Sequence, residues 1–177
     1  EGFGESLDVH GCRTEIVAAG GHDALLKFVA AEATEDTTLM LAREAATAAI
    51  ANLCAQDDSR ALVASAGGIP ILVALITGWS RGQNLSEELM TYACGALGNL
   101  ARENFVCQDE IAAAGGIKAL VALARAAGIK PDGASPPPPD HKESDKKEDE
   151  EEEDTGLELN ASIALRKLAI NHPANYA

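Results

Sequence analysis

The chain has 177 residues, a net charge of −14, and 46% hydrophobic residues of which few are aromatic, the aromatic share being only 3%. That balance disfavours a β-sandwich or barrel, which draws on aromatic and β-branched side chains, and points to Ala-rich helices instead. An acidic surface repels phosphate, so direct nucleic-acid binding is not expected, and no apolar run approaches the roughly 20 residues that would insert in a membrane.

In chain order, residues 1–12 read as the tail of a preceding helix and its turn. Residues 13–21 form a first helix, stopped by Gly20 and Gly21, since glycine accepts the left-handed conformation at a helix end. Residues 22–32 form a second, with Leu25, Leu26, Phe28 and Val29 apolar. The polar link 33–38 can cap a third helix over 39–56. The pattern then restarts. Residues 57–68 form a first helix, with Asp57, Asp58 and Ser59 as N-cap candidates. Pro70 falls in the first turn of the next helix, where its missing N–H does no harm, and Ile71, Leu72, Ala74 and Leu75 give that helix an apolar face up to Trp79. Ser86 opens a third helix, with Glu87 and Glu88 favouring its dipole. Helices over 105–116 and 117–127 follow. Residues 128–156 break the pattern: four consecutive prolines exclude helix, and 140–154 carries ten acids and three lysines. This acidic loop has almost nothing apolar to bury and is expected to be disordered. Helix resumes near Leu157 and runs to about His172. Residues 173–177 begin another turn.

The copies align in phase. Asn52 and Asn99 occupy the same place in two third helices, 47 residues apart, and Lys167 occupies it in the last. Around that place, at −6, −3, −2 and +1, stand Ala46, Ala49, Ile50 and Leu53 in the first copy. The second has Ala93, Ala96, Leu97 and Leu100, and the third Ala161, Ala164, Leu165 and Leu168. A second element, IVAAGG, LVASAGG and EIAAAGG, recurs with its final Gly 31 residues before Asn52 and Asn99 but 51 before Lys167, an insertion of 20.

A short helix ending in AGG, a second with an LxxLL-like face, and a longer third ending in ALxNLA together resemble the armadillo repeat family. HEAT repeats have two helices per unit and lack the AGG–NLA pairing. The resemblance implies an all-α, right-handed armadillo-type α-solenoid of about three three-helix repeats. Its divisions are 13–56, 57–104 and 105–172, the last interrupted by the acidic insertion 128–156. Residues 1–12 would be the tail of one further repeat and 173–177 the start of another, so the chain reads as a fragment of a longer array.

The resemblance also implies a non-enzymatic interaction scaffold that binds an extended partner segment along the concave groove lined by third helices. Alternatives are a structural docking component of a large ciliary or cytoskeletal assembly, or the repeat region of a multidomain protein such as a ubiquitin ligase. In peptide-binding members, an Asn at the central position bonds the peptide backbone; Asn52 and Asn99 match and Lys167 does not. Four residues earlier the nuclear-import adaptors carry Trp; here Ala48, Gly95 and Ile163 stand there, which argues against recognition of nuclear-localisation signals. The remaining groove candidates by helical spacing are Glu44, Tyr92, Arg102, Asn160 and Arg166. No phosphate loop, nucleophile motif or metal-binding spacing is present, so no catalytic residue, metal or cofactor is expected. Cys54 and Cys94 read as small buried apolar groups. Cysteines that lack a metal or redox spacing and read as small apolar groups suggest a reducing compartment, cytoplasm or nucleus. The expected partner is a protein, either an extended peptide or another subunit.

Overall fold

A computed structural model describes residues 9–31, 36–83, 85–126 and 156–169. Among these there are nine helices and no strand: α1 Val9–Ala18, α2 Gly21–Val29, α3 Thr37–Leu53, α4 Asp57–Ser65, α5 Gly68–Ser80, α6 Glu87–Ala101, α7 Phe105–Ala113, α8 Gly116–Ala126 and α9 Gly156–Ala169. They form three units of three helices. The third helices α3, α6 and α9 pack side by side in one layer, and the second helices α2, α5 and α8 in another. This is an all-α solenoid. Of the expected disordered insertion 128–156, residues 128–155 lie outside the described residues and Gly156 opens α9; of the expected terminal segments, 1–8 and 173–177 lie outside them, whereas 9–12 belong to α1 and not to the tail of a preceding helix.

Packing follows from side-chain size. In α5, Ile69, Leu72, Val73, Leu75 and Ile76 are all buried, because α5 is enclosed by α2, α6 and α8; a helix that is apolar on most sides belongs inside. Helix α6 is flanked by α3 and α9, and buries Ala93, Ala96, Gly98 and Ala101 as well as Leu89, Leu97 and Leu100. Small residues there let the third helices approach. A Cβ on Gly98 would lie 3.3 Å from the Ala164 Cα, so even Ala would press on α9. The recurring Ala positions are thus a consequence of helix spacing.

The Gly pairs work differently from the sequence expectation that both stop the first helix. Only the first Gly is left-handed, with φ of 74° at Gly20, 80° at Gly67 and 83° at Gly115. The second opens the next helix, and a Cβ there would meet a backbone oxygen: Ile16 O at 2.8 Å from Gly21, Val63 O at 2.7 Å from Gly68, and Ile111 O at 2.9 Å from Gly116. The joint is therefore conformational at one residue and steric at the next. Its bonds repeat too: Gly20, Gly67 and Gly115 donate to Val17, Ala64 and Ala112 at 3.0, 2.9 and 3.0 Å.

Helix boundaries otherwise shift by a few residues. Helix α1 begins four residues before Arg13, and the first helices of all units end short of their glycines. Asp57, Asp58 and Ser59 are not caps; they are the first residues of α4, whose N-cap Gln56 makes no side-chain cap bond. The polar link does cap α3, through Asp36, which accepts from Thr38 N at 2.8 Å. Ser86 caps α6, accepting from Leu89 N at 3.2 Å, and Asn104 caps α7, accepting from Cys107 N at 3.1 Å.

Candidate functional site: the third-helix face

The layer of α3, α6 and α9 carries all the groove candidates, but they differ in how far they are free to meet a partner. Asn52 is exposed. Asn99, its counterpart one unit on, is half-buried and bonded on both sides: Nδ2 donates to Ala51 O at 3.1 Å, and Oδ1 accepts from Lys167 Nζ at 3.3 Å. One amide thus ties α6 to both neighbours. An amide carries two donors and two acceptor lone pairs, so one N–H and one lone pair remain. Arg102 repeats the tie a turn later, Nη2 donating to Ala55 O at 2.6 Å and lying 3.8 Å from Asp57 Oδ1. Glu44 accepts from the Ser86 hydroxyl, so it holds the start of α6 against α3.

Tyr92 is exposed on α6, with 39% of its surface accessible. Asn160 Nδ2 donates back to Gly156 O at 2.7 Å, inside α9. Arg166 is exposed. Ala48, Gly95 and Ile163 are half-buried and line the face between these polar groups. Lys167 is held below its ordinary pKa by burial first, then by Arg102, Arg166 and Arg60. Four cations therefore converge where α6 and α9 end, in a chain that is otherwise acidic.

Two residues of this region were missed in the sequence. Arg60 of α4 and Gln108 of α7 are both buried and stand eight residues before the second Gly of their pairs, as does Arg13. Arg60 Nη1 donates to Arg102 O and to Asn99 O at 3.4 Å, and Nη2 to Asp57. Gln108 Nε2 donates to Ala101 O at 2.8 Å and Lys167 O at 3.3 Å. Each reaches the carbonyl of the central position in its own unit. Carbonyls at a helix C-terminus lack the α-helical donor four residues on; Asn99 O and Ala101 O take only long bonds from Arg102 N and Asn104 N, at 3.3 and 3.5 Å, and these side chains add a donor. The signal was the shared offset from the Gly pair.

The two thiols within the third-helix layer, Cys54 and Cys94, offer little chemistry. Burial pushes Cys54 up to about 12, with Cys107 adding to the shift and Arg60 opposing it; burial alone pushes Cys94 up to about 12. A thiol so held is not a nucleophile at neutral pH. Among the described residues no group of three His, Cys, Asp or Glu could hold a metal, and no single helix is long and apolar enough to cross a membrane.

The family model for the Armadillo/beta-catenin-like repeat matches residues 56–102. Those limits coincide with the N-cap of α4 and the C-cap of α6, that is, with one whole unit. No curated protein matches the chain.

Proposed function

We propose, from the armadillo-type repeat matched over residues 56–102 and the protein–protein interaction such repeats generally mediate, that the chain is a non-enzymatic scaffold that holds an extended partner segment across α3, α6 and α9. The observation that carries this reading is the third-helix layer itself: Asn52 and Tyr92 are exposed on adjacent helices, beside the small residues Ala48 and Gly95. An amide can serve both the N–H and the C=O of a peptide, and an accessible aromatic is a common anchor. Asn99 contributes rigidity through its bonds to α3 and α9, and its remaining donor and acceptor to the partner. Arg102, Arg166 and Lys167 favour acidic residues at the α9 end of the segment, while Glu44 sets the opposite sign at the α3 end. The protein acts where cytoplasmic or nuclear partners are available.

Panning a displayed library of unstructured peptides against the chain tests this. Selected peptides should lose about tenfold in affinity, roughly 1.4 kcal/mol, on Tyr92→Ala or Asn52→Ala. They should be unaffected by Lys118→Ala on the exposed side of α8. Peptides that bind the double variant Tyr92→Ala/Asn52→Ala as well as the wild type would refute the groove reading. A lateral docking role in an assembly would then be favoured.

A further inference from the structure

Arg43 and Asn52 are nine residues apart on α3, about half a turn out of phase at 3.6 residues per turn. Arg43 therefore lies on the side of α3 away from the third-helix face. It lines a cavity of about 670 Å³ between α2, α3 and α5. Its described lining is mixed: Pro70, Ile71, Ala74 and Leu75 of α5 form an apolar side, while Arg43, Gln83 and the backbone of residues 29–31 form a polar one.

The guanidinium is held in place from one side. Arg43 Nε donates to Val29 O at 3.0 Å, the last carbonyl of α2. That uses one of five N–H donors. Among the described residues neither Nη group has a hydrogen-bond partner and no carboxylate is within ion-pair distance. Burial alone pushes its pKa below the ordinary value. A cation partly out of water without a counter-ion is costly unless an anion meets it.

The chemistry of the site selects that anion. A guanidinium fork matches a carboxylate through two parallel bonds. Arg43 is the one charged residue among the described lining residues, and the chain carries −14, so a multiply charged phosphate would be poorly neutralised. The apolar side, along α5, accepts a hydrocarbon stem. We propose that this cavity binds a single carboxylate carried on an apolar stem, as an acidic residue flanked by a hydrophobic one would present in a partner protein. The site is separate from the third-helix face and would let one chain engage a partner on two sides.

The test titrates 15N-labelled protein with 3-phenylpropionate, using 3-phenylpropionamide and phenylphosphonate for comparison. The readouts are the Arg43 Nε–Hε resonance and the backbone amides of Ala30, Ala31 and Ala74. The carboxylate should shift them saturably, and both comparison compounds should bind at least about tenfold more weakly. Arg43→Lys should weaken the response. Ala74→Glu leaves the bond from Arg43 to Val29 O in place while supplying a competing carboxylate at the wall, and should abolish it. The proposal is overturned if the amide or the phosphonate binds as well as the carboxylate, or if the response survives in Ala74→Glu. Shifts that map to Arg102, Arg166 and Lys167 instead would also overturn it. So would movement of the Arg43 resonance in Glu32→Gln or Glu35→Gln without any added compound, because the occupant would then be the chain's own carboxylate.

Discussion

Replacing Arg60 by Met isolates the role of the side chains that serve the α6 carbonyls. Met keeps the length and apolar packing of the Arg stem and removes the guanidinium. Arg60 is 5% exposed, so the lost bonds are not replaced freely by water. The bond to Asn99 O, at 3.4 Å, is long and counts for little; the bond to Arg102 O is a charged donor on a carbonyl, worth about 1.5–3 kcal/mol. The Asp57 side chain is 82% exposed, so losing that ion pair costs under about 1 kcal/mol. Opposing these is the relief of taking a cation out of a site where burial, and then Arg102, disfavour its charge, which returns part of the loss. The net expectation is a destabilisation of about 2 kcal/mol, or a fall in Tm of about 4–8 °C for a domain of this size. Urea unfolding followed by far-ultraviolet circular dichroism, with calorimetry for Tm, measures both. Asp57→Asn is the control, expected to cost under about 1 kcal/mol. If Asp57→Asn costs as much as Arg60→Met, the ion pair and not the carbonyl bond holds this corner, and the reasoning fails.

Asn99→Ala should cost about 1–2 kcal/mol, since it strips donors and acceptors from both neighbouring helices, whereas Asn52→Ala should stay within about 0.5 kcal/mol; equal effects in urea melts would contradict the separation of the two amides. Cys54 and Cys94 keep their protons in the native state up to about 12, while an unfolded chain releases them near 8.5. Above that pH the unfolded state binds fewer protons, so stability falls as pH rises from about 9 towards 12. The Cys54→Ala/Cys94→Ala variant should flatten that decline, and an unchanged slope in urea midpoints between pH 8 and 11 would refute the assignment. Deleting residues 130–154 should raise the affinity of a poly-glutamate peptide for the Arg102, Arg166 and Lys167 cluster at low salt. The gain should vanish as salt shortens the screening length below about 10 Å; identical affinities at low salt would reduce the acidic run to a solvated link.

The repeat was readable because packing constrains residue type. The positions of Ala93, Ala96, Ala161 and Ala164 admit little else where α6 meets its neighbours, and each Gly pair answers a left-handed residue followed by a close carbonyl. Residue type says less about partners. Asn52 and Asn99 share a motif position, yet only Asn99 has a described third helix on both sides, so only it becomes a bridge. Arg60 and Gln108 do the same work with different chemistry, a guanidinium and an amide, and so did not look like copies of one another. Asp57 to Ser59 looked like caps because polar residues before a helix usually are, but α4 starts one residue earlier than that reading allowed, and Asp57 is turned to Arg60.

The Gly-pair joint also dictates where this architecture can accept new material. Between first and second helices the connection is always two residues, 19–20, 66–67 and 114–115, whereas the connections from second to third helices span 30–36, 81–86 and 127–155. A corner locked by one left-handed residue and one steric contact has no slack, so a guest sequence placed there would reorient every helix downstream. The other connection has already taken up a large change in length while α9 still packs on α6 and α8. A fluorescent reporter or an affinity handle belongs in the long link between α8 and α9, where the cost of a longer closure grows only as its logarithm, and never beside Gly67.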